Sequence, residues 1–156
     1  AVYRPWEPPA PGTLGIVTAT SDGGFAVMVA LPGNIGFAPW LVSMDGGKTW
    51  TKVGGSPSVL LDKSQVLKCA DDGVCYLAHP RSIDGTSVHV VDRLDPNHTW
   101  RNEATFGEEC RADNLTVDAK DSTRAIVRCA GTTLAYRAAE GTWVLLDVGD
   151  IARKWW

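Results

Sequence analysis

This sequence of 156 residues is short of positive charge, long apolar runs, clustered metal ligands and helical periodicity, and each shortage excludes a class of function. Lysine and arginine number 15 against 18 acidic residues, a formal net charge of -3, so no broad positive field exists to attract nucleic acid or acidic lipid headgroups. No apolar run is long enough to cross a bilayer, so membrane insertion is not expected. No positive segment followed by an apolar stretch opens the chain as a signal peptide would. The opening Ala1-Val2-Tyr3-Arg4-Pro5-Trp6 fits a mature terminus left after removal of a leader, because small residues flank such cleavage sites. Cys-x-x-Cys pairs are absent, His79, His89 and His98 form no ligand-spaced set with the cysteines, and no calcium-loop spacing occurs. Neither a metal nor another cofactor is expected. Apart from a weak stripe over 148–154, no apolar pattern has the 3.6-residue period of a helix.

What is present points to one apolar core and to oxidised sulfur. An apolar content of 44 % suits a single domain over 1–156 that needs no metal to fold. Cys69 and Cys75 bracket Ala70-Asp71-Asp72-Gly73-Val74, a turn signal between two apolar runs, so the sulfurs should face each other across a hairpin. Opposed residues in antiparallel strands have the Cα separation that a disulfide requires. Cys110 and Cys129 remain as the second pair. On a chain-entropy basis the bridges contribute about 2 and about 3 kcal/mol. Two bridges imply an oxidising compartment, hence a secreted or otherwise extracytoplasmic protein; the alternative is four buried thiols in a cytosolic one.

The most informative stretch is Ser43-Met44-Asp45-Gly46-Gly47-Lys48-Thr49-Trp50. Sliding it by 50 places reaches Arg93-Leu94-Asp95-Pro96-Asn97-His98-Thr99-Trp100, where Asp, Thr and Trp recur in register. Asn97 replaces Gly47, and both tolerate a left-handed backbone. A further shift of 43 reaches Tyr136-Arg137-Ala138-Ala139-Glu140-Gly141-Thr142-Trp143, which keeps Thr142, Trp143 and a turn glycine. Each octet joins a third strand to a fourth, and upstream of each lie two short runs rich in Val, Ile, Thr and Ala, closed by turn residues. The chain is therefore expected to be all-β and propeller-like, with about three four-stranded antiparallel blades over roughly 15–54, 64–104 and 113–147 and terminal segments 1–14 and 148–156.

The pattern Ser-x-Asp-x-Gly-x-Thr-Trp at Ser43, Asp45, Gly47, Thr49 and Trp50 resembles the Asp-box of bacterial neuraminidase-type repeats, which occur in sialidases and in other secreted or lumenal β-propellers. The match is partial at Asp95, Thr99 and Trp100 and faint at Thr142 and Trp143. The resemblance implies that these residues are structural, on the rim away from any catalytic face. The residue chemistry agrees: Asp45 can accept main-chain N–H groups in an Asx-type turn, Gly46 and Gly47 can supply positive φ, and Ser43 and Thr49 can exchange hydroxyl hydrogen bonds. Trp50 would place on the order of 200 Å² of ring beneath the hairpin. If buried there, its truncation would cost about 3–5 kcal/mol.

Three blades do not close a ring. A homodimer giving six blades, a longer parent chain, or a partial blade made by the termini would each cover the exposed flanks. Trp6, Trp155 and Trp156 lie outside the repeats and suit an interface, a sugar-stacking platform or caps on the molecule's own ends. Contact loops are expected at Pro32-Gly33-Asn34-Ile35-Gly36 and at His79-Pro80-Arg81-Ser82-Ile83-Asp84-Gly85, where Arg81 joins the three tryptophans as a candidate ligand-binding residue. The favoured reading is an exported non-catalytic module that binds a glycan or a protein surface. A sialidase-type hydrolase is the alternative, but Tyr3-Arg4-Pro5 is only faintly similar to that family's opening element. Arg124 and Arg128, expected on one face of a strand, lack a third arginine and a Tyr-Glu nucleophile pair. A structural subunit docking a larger protein is the third reading. The acid pairs Asp71-Asp72 and Glu108-Glu109 read as solvated turn residues, and no catalytic residue is assigned.

Overall fold

The computed structural model of the chain describes residues 12–19, 26–32, 40–52, 66–110 and 114–149. Among these residues β1 (Gly12–Ala19), β2 (Ala26–Pro32), β3 (Trp40–Ser43) and β4 (Thr51–Lys52) form the first sheet. β5 (Val66–Cys69), β6 (Cys75–Ile83), β7 (Thr86–Leu94) and β8 (Trp100–Phe106) form the second, and β9 (Leu115–Val117), β10 (Ala125–Arg128), β11 (Thr133–Arg137) and β12 (Trp143–Asp147) form the third. Every strand pairs antiparallel with the next, so each sheet is a simple meander. The first strands are neighbours in order, β1 beside β5 and β5 beside β9, which is how blades stand around a common axis. The protein is all-β and propeller-like, and two disulfides, Cys69–Cys75 and Cys110–Cys129, pair all four cysteines.

Turn chemistry explains the strand ends. Three hairpins, at 70–74, 95–99 and 138–142, use one five-residue turn. The first residue's N–H donates to the fifth carbonyl at 2.9, 3.0 and 2.8 Å, and the fourth N–H donates back to the first carbonyl at 3.0, 2.9 and 2.9 Å. That geometry needs a left-handed fourth residue, and Gly73, His98 and Gly141 take φ of 88°, 61° and 96°. The expectation that Asn97 would be left-handed is thus corrected by one place, to His98. Asn97 instead accepts the Thr99 N–H on its side-chain oxygen at 3.2 Å.

The hairpin at 43–50 is longer. The pairs Leu41↔Lys52 and Val42↔Thr51 bring Ser43 opposite Trp50 with residues 44–49 between, whereas Leu94↔Trp100 and Arg137↔Trp143 enclose only 95–99 and 138–142. Ser43 therefore matches Leu94 in space, one place off the sequence alignment with Arg93.

A second correction concerns the expected loop at 79–85. Residues 75–83 and 86–94 run as one long hairpin, paired from Cys75↔Leu94 to Ile83↔Thr86. Asp84 and Gly85, with φ of 50° and 77°, form the two-residue Asp-Gly turn whose twist matches its strands. Pro80 is tolerated because it lies past the last β5 pair, Val66↔Ala78, where no ladder hydrogen bond is lost on that side. In the other expected loop Pro32 ends β2 and 33–36 lie outside the described residues.

Strand alternation gives the second sheet two buried faces. Tyr76, Ala78, Val91 and Phe106 pack with Leu115, Ala125, Val127, Cys129 and Ala135 of the third sheet. Leu77, Val90, Leu94 and Trp100, on the opposite face, are also buried, and that is the side away from the third sheet. The second sheet is thus the middle layer of three.

Candidate functional site

The 43–50 turn is held by its own carboxylate. Asp45 Oδ1 accepts the Ser43 hydroxyl at 2.9 Å, the Lys48 N–H at 3.0 Å and the Thr49 N–H at 2.9 Å, while Oδ2 accepts the Thr49 hydroxyl at 2.6 Å. Ser43 Oγ accepts the Gly47 N–H at 2.8 Å, and the Trp50 indole N–H donates to the Gly47 carbonyl at 3.0 Å. Positive φ at Gly46 and Gly47 lets the amides converge. The Thr49 hydroxyl first, then its N–H, hold the Asp45 carboxyl down to about 2 from 3.8.

Because this folded value lies below the unfolded one, the carboxylate's contribution is complete above about pH 4 and is lost as pH falls from there through about 2. An NMR titration of the Asp45 carboxyl should show that low midpoint. A midpoint at the ordinary 3.8 would mean that the carboxylate does not fasten the turn.

The second and third turns are fastened differently. Asp95 binds the His98 N–H through its main-chain carbonyl, and its carboxylate is left to Arg93 at 2.6 Å and Arg101 at 2.8 Å. This modifies the expected role of Asp95. Thr99 and Thr142 supply carbonyls that close their turns. Trp50, expected beneath its hairpin, is half-buried, whereas Trp100 is 3 % exposed.

The junction between the second and third sheets shows how one blade receives the next. Trp143 stands edge-on to Tyr76 and Phe106, at centroid distances of 6.4 and 5.9 Å. Beside it Arg137 makes two hydrogen bonds to Glu103, at 3.0 and 2.8 Å, with both side chains almost fully buried. Glu103 reaches there through a bulge: Val91 pairs Ala104 while Asp92 pairs Asn102, so Glu103 is the extra residue. The Glu103 hydrogen bonds raise Arg137 further above the ordinary guanidinium range. Burial pushes the Tyr76 phenol up, with the Glu103 charge adding to it, and the phenol donates to the Ser122 carbonyl at 2.6 Å. Asp72 accepts the Ser122 hydroxyl at 2.5 Å, and Asp71 pairs with Lys120. These acids clamp the two sheets together, which corrects their reading as merely solvated turn residues.

Beyond this junction the third sheet presents an uncovered apolar face. Register places Ile126, Tyr136 and Val144 in one cross-strand row and Arg128, Leu134 and Leu146 in the next on the same side. Ile126 is 45 % exposed, Tyr136 36 %, Val144 37 % and Leu146 41 %. A cleft of about 450 Å³ lies between β5 and β9, lined by Val66, Lys68, Asn114, Leu115, Thr116 and Val117. On the other buried face of the second sheet, His79 Nε2 lies 2.7 Å from Asp92, His79 Nδ1 lies 3.1 Å from the Pro80 carbonyl, and Asn102 donates to Asp92 at 3.2 Å. This polar group braces three strands inside the middle layer.

Of the four expected ligand-binding residues, Trp6, Trp155 and Trp156 lie outside the described residues, and Arg81 is exposed on β6. Arg124, expected within a strand, precedes β10 and pairs with Asp121 at 3.1 Å, while Arg128 ends β10. The Thr123 hydroxyl, first, and N–H hold the Asp121 carboxyl down. Sequence reasoning missed the open face of the third sheet. Its signal was present in the period-2 spacing of Ile126 and Arg128, Leu134 and Tyr136, and Val144 and Leu146, but only packing shows which face stays uncovered. Among the described residues no group of three or more His, Cys, Asp or Glu could hold a metal ion, and no helix is long and apolar enough to cross a membrane.

No protein-family model matches this chain, and no curated protein matches its sequence. Among solved structures, one titled "YCF48 bound to D1 peptide" is similar at 15 % identity, covering 93 % of this chain and 71 % of that one. Its TM-score against this chain is 0.28.

Proposed function

We propose that this chain is an exported, non-catalytic module of propeller type that docks another protein on the open face of the third sheet. The observation that carries the proposal is the pair of rows Ile126–Tyr136–Val144 and Arg128–Leu134–Leu146, five large apolar residues and one cation on a single exposed sheet face. Contiguous exposed apolar surface of this kind marks interaction sites, and an aromatic with a rim arginine is the composition of interface anchors. Export is supported by the two disulfides, which persist in oxidising compartments. The carboxylate-centred turn at Asp45 supports the resemblance to Asp-box repeats and a structural role for that residue. We read residues 1–156 as one unit, with the three sheets as its blades. A glycan site would draw on Trp6, Trp155, Trp156 and Arg81, of which the described residues include Arg81 alone.

The test is a pull-down from the native source with tagged protein, comparing the natural chain with Leu146→Glu. The expected result is a protein recovered in stoichiometric amount by the natural chain and lost with the variant, at unchanged thermal unfolding. Equal recovery by both would remove this face from the function.

A further inference from the structure

We infer that the cleft between β5 and β9 is a binding site for a small organic anion, one that joins an acidic group to a short hydrocarbon part. The cleft measures about 450 Å³ and is lined by Val66, Lys68, Asn114, Leu115, Thr116 and Val117. Small-molecule sites begin at about 300 Å³, so the space suffices. The inference goes beyond the protein-docking reading and does not rest on it.

Two paired strands fix the walls. The register Val66↔Ala78 and Lys68↔Tyr76 puts Val66 and Lys68 on the side of the second sheet that Tyr76 and Ala78 turn to the third. Leu67, between them, faces the other way and is buried. Across the cleft, the pairs Leu115↔Val127 and Val117↔Ala125 turn Leu115 and Val117 toward the same junction. Leu115 is buried there, and Val66 and Val117 pack against the core. These three residues make an apolar floor.

The polar groups of the cleft are donors without an acid. Lys68 is exposed. Arg93, Arg101, Lys120, Arg124 and Arg137 each pair with a carboxylate, whereas Lys68 has no such partner among the described residues. The Asn114 carbonyl accepts the Arg128 N–H at 3.0 Å, and the Asp118 N–H donates to the Arg124 carbonyl at 3.1 Å. Main-chain groups alternate in direction along an antiparallel strand, so those of Leu115 and Val117 point away from β10. That is the side on which β5 lies.

A cation beside main-chain N–H groups, with no carboxylate in the lining, calls for negative charge in the ligand. A cationic ligand would meet Lys68 unopposed. The apolar floor favours an acid with a hydrocarbon part over an inorganic ion. A carboxylate and a phosphate monoester share this chemistry.

An amide NMR titration of the full chain with butyrate, with butyl phosphate and with butyramide tests the site. At least one of the two acids should give saturable shifts at residues 66–68 and 114–117, and the tighter of them names the acidic group. Butyramide should bind at least about tenfold more weakly, because it lacks the charge. Lys68→Met should weaken acid binding by about tenfold, the scale of one hydrogen bond to a charged group, at unchanged thermal unfolding. Lys68→Arg should keep most of the affinity. No saturable shift at these residues with either acid overturns the inference, as does butyramide binding as tightly as the acids. Acid binding that Lys68→Met leaves unchanged overturns it too.

Discussion

Replacing Arg137 with methionine is expected to destabilise the protein by about 3–5 kcal/mol, because the change strands the Glu103 carboxylate in the junction between two sheets. The guanidinium makes both of its carboxylate hydrogen bonds in a site where each side chain is nearly inaccessible, and it also donates to the Thr123 and Ala138 carbonyls at 3.1 and 3.3 Å. Removing one partner leaves a buried charge with a single remaining cation, Arg101 at 3.1 Å. The double variant Arg137→Met with Glu103→Met should recover most of the loss, since a buried pair and an apolar replacement are often close in energy. Urea unfolding of the two single variants and the double variant measures the coupling. Independent, additive losses would show that the pair does not act as a unit.

The three tryptophans should rank by burial rather than by how well their turns match the repeat. Trp100→Ala and Trp143→Ala are each expected to lose about 3–5 kcal/mol, with Trp143 at the lower end because it is half-buried. Trp50→Ala, in the best-matched octet, should lose less than either, because its side chain is half-buried and its indole N–H donates to a carbonyl of its own turn. Thermal or urea unfolding of the three variants under one set of conditions decides the order. A loss at Trp50 as large as at Trp100 would mean that fit to the repeat, and not burial, sets the order.

The repeat itself was legible in the residues. Asp45, Gly47, Thr49 and Trp50 specify a turn by local hydrogen bonding and backbone conformation, which depend only on nearby residues. The same holds for the Cys69–Cys75 hairpin. Local rules also suffice for the Asp84-Gly85 turn, yet the 79–85 stretch, with Pro80 inside it, reads as a contact loop between two strands. Pro80 fits inside the longer β6 because the β5 pairing reaches only as far as Ala78.

Composition and local pattern by themselves determined an all-β chain of three four-stranded units stapled by two disulfides, because strand alternation, turn residues and cysteine spacing act over a few residues. Only the tertiary structure decided which acids are fasteners and which are clamps: Asp45 bonds its own turn, while Asp71, Asp72 and Glu103 bond residues of another sheet. It alone decided that Trp100 is buried, that Trp143 packs against the second sheet, and that the rows ending in Val144 and in Leu146 are left open. Two faces of a strand carry equivalent patterns in sequence, and which one meets water depends on the number of sheets stacked beside it.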